Sequence, residues 1–270
     1  MHFFRDWRRK KILESHPIPD AVWEKGLELV PLLDDLSDEE VEKLRALATI
    51  FLHEKRFEGA SGFIIDDTVK IVIACLGCLV VLELDIDAYR GWSSIVVYRS
   101  EFKTRHEYVD EHGIAHEENG PQAGESWPGG PIVLSWEDVV ESVEEPYDGF
   151  NVVIHEFAHK LDMLQGGDAD GMPPLHEGMS VAEWKLVVTS AYEDFCHRVD
   201  LGEDTGLDEY GAESEAEFFA VMCEVFFEAP DVLSDEYPKL YDQLRLFFRQ
   251  DPLRRMPPPE QASEHVPEHH

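Results

Sequence analysis

Apolar residues recur at Val41, Leu44, Ala48 and Phe51 in LSDEEVEKLRALATIFLHEKRFEG, a three-to-four-residue rhythm that predicts an amphipathic helix running from Leu36 to Gly59. Ser37 and Glu40 stand at capping-box spacing at its start. The rhythm disappears between Asp67 and Leu82, where almost every residue is apolar. The length of that run favours a buried helix over a buried strand. WSSIVVY (92–98) and PIVLSW (131–136) are short and β-rich, and predict strands of one small sheet. The Gly- and Pro-containing ENGPQAGESWPGGP (118–131) reads as the loop before the second strand. Further on, helical spacing returns in NVVIHEFAHKLDMLQG, in Val181 to Val199, in EFFAVMCEVFF and in YPKLYDQLRLFFRQ. GGDADGMPPL and the acidic LGEDTGLDEYGAESEAE are connections between them. The pattern predicts one α+β domain over residues 21–252, mostly helical with a small mixed sheet. Residues 1–20 read as a loosely held basic leader and 253–270 as a disordered Pro-rich tail.

Composition narrows the function classes. Fifty-seven acids against 23 bases give a formal charge of −34, which repels phosphate backbones and anionic membranes, so neither nucleic acid nor a bilayer is expected as a direct partner. The N-terminal bases lack the following apolar region of a secretory signal, and the longest apolar run, Ile71 to Leu82, is too short to span a bilayer. A soluble cytoplasmic protein is expected. The four cysteines are too few for a disulfide framework in 270 residues. Cys75 and Cys78 form a lone C-x-x-C among Ile, Val and Leu, and read as inert core thiols.

The apolar run 151–166 holds two histidines and two acids, each costly to bury unless it is paired or bound. His155 and His159 lie four residues apart, so on a helix their imidazoles project from one face and can share one tetrahedral ion. With Glu156 they form H-E-x-x-H, in which the histidines bind zinc and the glutamate takes a proton from the attacking water. Asp162 follows on the same face and is expected to accept a hydrogen bond from a ligand or a neighbouring loop. Lys160 places a charge directly after the second histidine. A catalytic zinc needs a third protein ligand. In ESEAEFFAVMCEVFFEAP, Glu217 and Glu224 share one helix face, and the residues alone leave both open, although Glu217 is also explained as a capping-box partner of Ser214.

HPIPD, GWSSIVVY, PIVLSWEDV, IHEFAHKLDML, GDADGMPPL, AEFFAV, EVFFEAP and RQDP occur in this order over residues 15–252. In this set of motifs the chain resembles the Mlc titration factor A family. The resemblance implies a zincin-like fold and a zinc peptidase of the gluzincin kind, related in its active site to the anthrax lethal factor catalytic domain. It further implies aminopeptidase activity on small substrates, with a peptide as substrate, and binding of the transcriptional repressor Mlc. Carried over by motif, His155, His159 and Glu217 would be the zinc ligands, Glu156 the general base, and Tyr210 the donor that stabilises the tetrahedral intermediate. PIVLSW is expected to be the sheet edge against which a peptide lies extended.

Overall fold

The computed structural model describes residues 2–100 and 129–256 and, between them, the backbone of 102–103, 106–109, 115–118, 121–122 and 124–126. The N-terminal segment departs from expectation: the basic stretch is helix α1 (His2–Ser15), followed by α2 (Asp20–Leu29). Ion pairing and burial of an apolar contact hold it. Arg5 and Arg9 pair with Asp87, Arg9 also with Asp85, and Ile12 is buried in the core.

The capping box forms as read: Ser37 Oγ accepts from Glu40 N, and Glu40 Oε2 accepts from Ser37 N at 2.9 Å. Helix α3 (Asp38–Glu54) nevertheless stops short of Gly59. Lys55 turns to extended backbone, and Arg56–Gly59 becomes strand β1. Helix α4 (Asp67–Val80) is the predicted buried helix, capped by Asp66 accepting from Val69 N. Strand β2 (Ser94–Tyr98) pairs parallel with β1, Ile95 facing Phe57 in register.

Two short antiparallel pairs follow, β3 (Phe102–Lys103) with β6 (Pro121–Gln122) and β4 (His106–Val109) with β5 (Ala115–Glu118). The expected loop at 118–131 also contains β7 (Gly124–Ser126), which runs antiparallel to β8 (Ile132–Ser135). The sheet order is β1-β2-β8-β7, so β8 is interior and, among the described residues, β1 and β7 are the edges. The segment expected to be the sheet edge is therefore flanked on both sides, its 132–135 backbone being used by β2 and β7. The turn residues of 118–131 hid a strand too short to show an alternation.

Helices α5 (Trp136–Glu144), α6 (Val152–Asp162), α7 (Val181–Asp200), α8 (Glu215–Glu228), α9 (Pro230–Glu236) and α10 (Pro238–Phe248) complete a mostly helical α+β fold, and α6 packs against α4, α8, β7 and β8. Beyond α10, residues expected in a disordered tail are held as far as Met256, where Arg255 Nη2 donates to Glu40 Oε1 at 2.6 Å. His265, His269 and His270 lie outside the described residues. Among the described residues no helix is long and apolar enough to cross a membrane.

α4 and α6 approach closely because Gly77 has no side chain: a Cβ there would come within 2.4 Å of the Phe157 ring. Phe157 in turn packs edge-on against Tyr89 and Trp92, and the Tyr89 hydroxyl donates to Gly77 O at 2.7 Å. Gly77→Ala is expected to overpack this junction and lower unfolding stability by about 1–3 kcal/mol, measured by urea denaturation; an unchanged midpoint would refute the tight contact. Cys75 and Cys78 are fully buried beside it, with burial pushing the Cys75 thiol up to about 12. They are core thiols, as read.

Candidate metal centre

Asn151 caps α6: its Oδ1 accepts from Ile154 N at 3.1 Å, which fixes the side chain so that Nδ2 points the other way. Nδ2 donates to Glu228 Oε1 at 2.7 Å, while Asn151 N donates to Glu224 Oε2 at 2.6 Å. Two carboxylates of α8 therefore grip the first turn of the histidine helix. One turn on, His155 Nδ1 donates to Glu224 Oε1 at 2.7 Å. With Nδ1 donating there, Nε2 is the nitrogen turned outward, and once it gives up its proton its lone pair is aimed at an incoming ion.

At that outer position three donor atoms meet. His155 Nε2 lies 3.0 Å from Glu217 Oε2, His159 Nε2 lies 3.2 Å from the same oxygen, and the two Nε2 atoms are 3.1 Å apart. A tetrahedral ion about 2.0–2.1 Å from each donor would hold them roughly 3.3 Å apart, so spreading by a few tenths of an ångström suffices to admit one. Among the described residues this is the one group of three His, Cys, Asp or Glu side chains disposed to hold a metal. The donor set is two imidazoles and a carboxylate, which suits a divalent ion such as zinc.

The electrostatics match. Burial would raise Glu217, but hydrogen bonds and charge from His155 and His159 hold its carboxyl well below the usual range. Burial would lower His155, yet Glu224 and Glu217 raise it overall. Burial raises Glu224, opposed by His155 and by the Asn151 N–H.

Glu156 is buried on the flank of the same helix. Tyr210 stands in a short turn, Glu209–Ala212, whose Asp208 accepts from Tyr210 N at 2.9 Å. Its ring centroid is 6.0 Å from that of His155, and burial together with Glu217 pushes the phenol up, keeping it a donor. Asp162 Oδ2 accepts from Asp170 N at 2.8 Å and Gly171 N at 2.7 Å, tying the GDADGMPPL loop to the end of α6. Gly171 is required there, since φ is +74° and a Cβ would lie 2.7 Å from Glu215 O.

A family model for the glucose-regulated metallo-peptidase M90 matches residues 4–249. The chain belongs to the M90 metallopeptidase family. The chain is 38% identical over 252 residues to Mlc titration factor A of Cronobacter sakazakii, spanning 93% of this chain and 92% of that protein. It is 41% identical over 238 residues to Mlc titration factor A of Pectobacterium atrosepticum, spanning 87% and 88%. With the protein of that name from Escherichia fergusonii it shares 40% over 250 residues, spanning 91% and 92%.

In this M90 chain the structure brings His155, His159 and Glu217 together, with Tyr210 beside them, and separates Glu217 from Glu224 by role: one faces the cluster, the other holds His155 from behind. Sequence reasoning missed Glu228 and Asn151. The signal was present, because Glu217, Glu224 and Glu228 recur at spacings of seven and four on an otherwise apolar helix.

Burial lifts Glu228 to about 7, against the hydrogen bonds from Asn151 and from Tyr147 N. A carboxyl raised above its unfolded value stabilises the fold fully below about pH 4.5, and that contribution is lost as pH rises through about 7. Glu228→Gln is expected to remove roughly 3 kcal/mol of this pH dependence, apart from a constant cost for one mismatched donor. Urea denaturation of parent and variant at several pH values between these limits reads it; parallel curves would contradict the assignment.

Proposed function

We propose that this chain is a cytoplasmic zinc-dependent peptidase of aminopeptidase-like specificity. The observation that carries the reading is the convergence of His155 Nε2, His159 Nε2 and Glu217 Oε2 within 3.2 Å of one another. Two histidines and one carboxylate leave a coordination position for solvent, as catalytic sites do, whereas structural zinc sites close with four Cys or His ligands. The bound ion would acidify the attacking water and polarise the scissile carbonyl. Glu156, buried one residue after the first histidine, accepts the water's proton and returns it to the leaving amine. The Tyr210 hydroxyl donates to the carbonyl oxygen as negative charge develops there. His155 is kept in its tautomer by Glu224 throughout.

The test is hydrolysis of aminoacyl chromogenic substrates and short peptides by zinc-loaded protein. Turnover that a chelator abolishes and zinc restores supports the reading; no turnover on any such substrate overturns it.

The relatives' name favours a second reading. Their printed name, Mlc titration factor A, suggests that this chain could bind an Mlc-like repressor, with peptidase activity incidental. A surface of formal charge −34 would favour a basic patch on such a partner. Capture of a purified repressor by parent and Glu156→Gln protein alike would support binding without catalysis. Absence of binding by either would remove this reading.

A further inference from the structure

Lys160 follows the second histidine directly and is only 3% exposed, a costly place for a cation unless it holds something. Its Nζ donates to Gly130 O at 3.1 Å and to Pro131 O at 3.4 Å, the two carbonyls of the chain that enters β8. The amine also lies 5.7 Å from the centre of the Trp92 ring. Lys55 Nζ sits 3.6 Å from the same ring centre and donates to Tyr89 O and Trp92 O. Lys160 thus fastens the segment entering β8 to the histidine helix beside Trp92.

What it fastens matters for substrate. β8 pairs antiparallel with β7, and β7 is, among the described residues, both an edge strand of the sheet and a strand packed against α6. An edge strand offers backbone N–H and C=O groups to an extended peptide. We infer that Lys160 is a positioning residue that sets the β7–β8 ribbon against the metal helix, and so determines how peptides of several residues, rather than single aminoacyl groups, are held. The inference rests on the peptidase reading above and deepens it to a preference for extended chains.

The comparison is between zinc-loaded parent, Lys160→Met and Lys160→Arg, on a pentapeptide and on a single-residue aminoacyl substrate. In the Glu156→Gln background, binding of a fluorescent pentapeptide is read separately by anisotropy. Lys160→Met is expected to raise KM and Kd for the pentapeptide by about tenfold or more, because the edge is displaced from the reacting centre. KM for the single-residue substrate should move by no more than roughly twofold, since it makes no edge contacts. Lys160→Arg, whose guanidinium can still reach two carbonyls, should recover most of the pentapeptide affinity. Lys160→Gln, which retains a shorter donor, supplies the same comparison should the Met variant fail to fold. Equal losses on both substrates would show a general structural role and overturn the inference, as would no loss on either. A parent that neither cleaves nor binds either substrate would overturn the peptidase reading, and this inference with it.

Discussion

Glu156→Gln should lose about a hundredfold to ten-thousandfold of the parent's kcat on an aminoacyl chromogenic substrate while holding the same amount of zinc. The amide has nearly the shape of the carboxylate and cannot take a proton from the attacking water. Glu156 contributes no atom to the His155, His159 and Glu217 cluster, so its replacement leaves the metal donors in place. Paired assays of activity and metal content on one preparation decide the matter. A variant as active as the parent would remove Glu156 from the chemistry, and one that also lost its zinc would show a role in holding the ion.

The second large effect concerns a residue outside the donor cluster. Glu224→Ala removes the carboxylate 2.7 Å from His155 Nδ1 and also leaves the buried Asn151 N–H without its acceptor. Zinc affinity is expected to fall by about ten- to a hundredfold, since the imidazole loses the group that sets its tautomer and basicity. Folding stability should fall as well, by about 1–3 kcal/mol for the unpaired amide. Glu224→Gln, which can still accept from His155, should recover part of the affinity. Competition against a fluorescent chelator reads the first effect and urea denaturation the second. Unchanged affinity in Glu224→Ala would mean that His155 is oriented by the helix alone.

Much of this centre could be read before the fold was known, and the reason is local. His155, Glu156 and His159 lie within one and a half turns of one helix, so their relation follows from helical geometry. Glu217 is 62 residues from His155, and its local surroundings, apart from the capping-box spacing to Ser214, left it and Glu224 both open. Both sit on an apolar face; only the packing of α8 across α6 shows that one points at the histidine Nε2 atoms and the other at Nδ1. The family resemblance chose between them where residue chemistry could not.

The fold divides similarly. Capped, strongly periodic helices such as α3 and the long apolar α4 were legible from their own residues. β1 was read as the end of α3, because its four residues take their extended form from pairing with β2, a contact the sequence does not display. β7 was read as loop for the same reason: Gly124–Ser126 becomes a strand by pairing with β8. Helix α1 was read as a loose end because its bases suggested solvent, whereas Arg5 and Arg9 meet Asp85 and Asp87 more than seventy residues away. For β1 and α1 the missing information was a partner distant in the chain, and for β7 it was a short strand masked by turn residues.

Zinc content tests the central claim most directly. The full chain, with His265, His269 and His270 replaced by Ala so that they capture no metal, is loaded with zinc, dialysed and analysed by elemental analysis beside its Glu217→Ala variant. The convergence of two imidazoles and one carboxylate predicts one equivalent per chain in the former and a small fraction of that in the latter. A full equivalent retained by Glu217→Ala, or none in its parent, would contradict it.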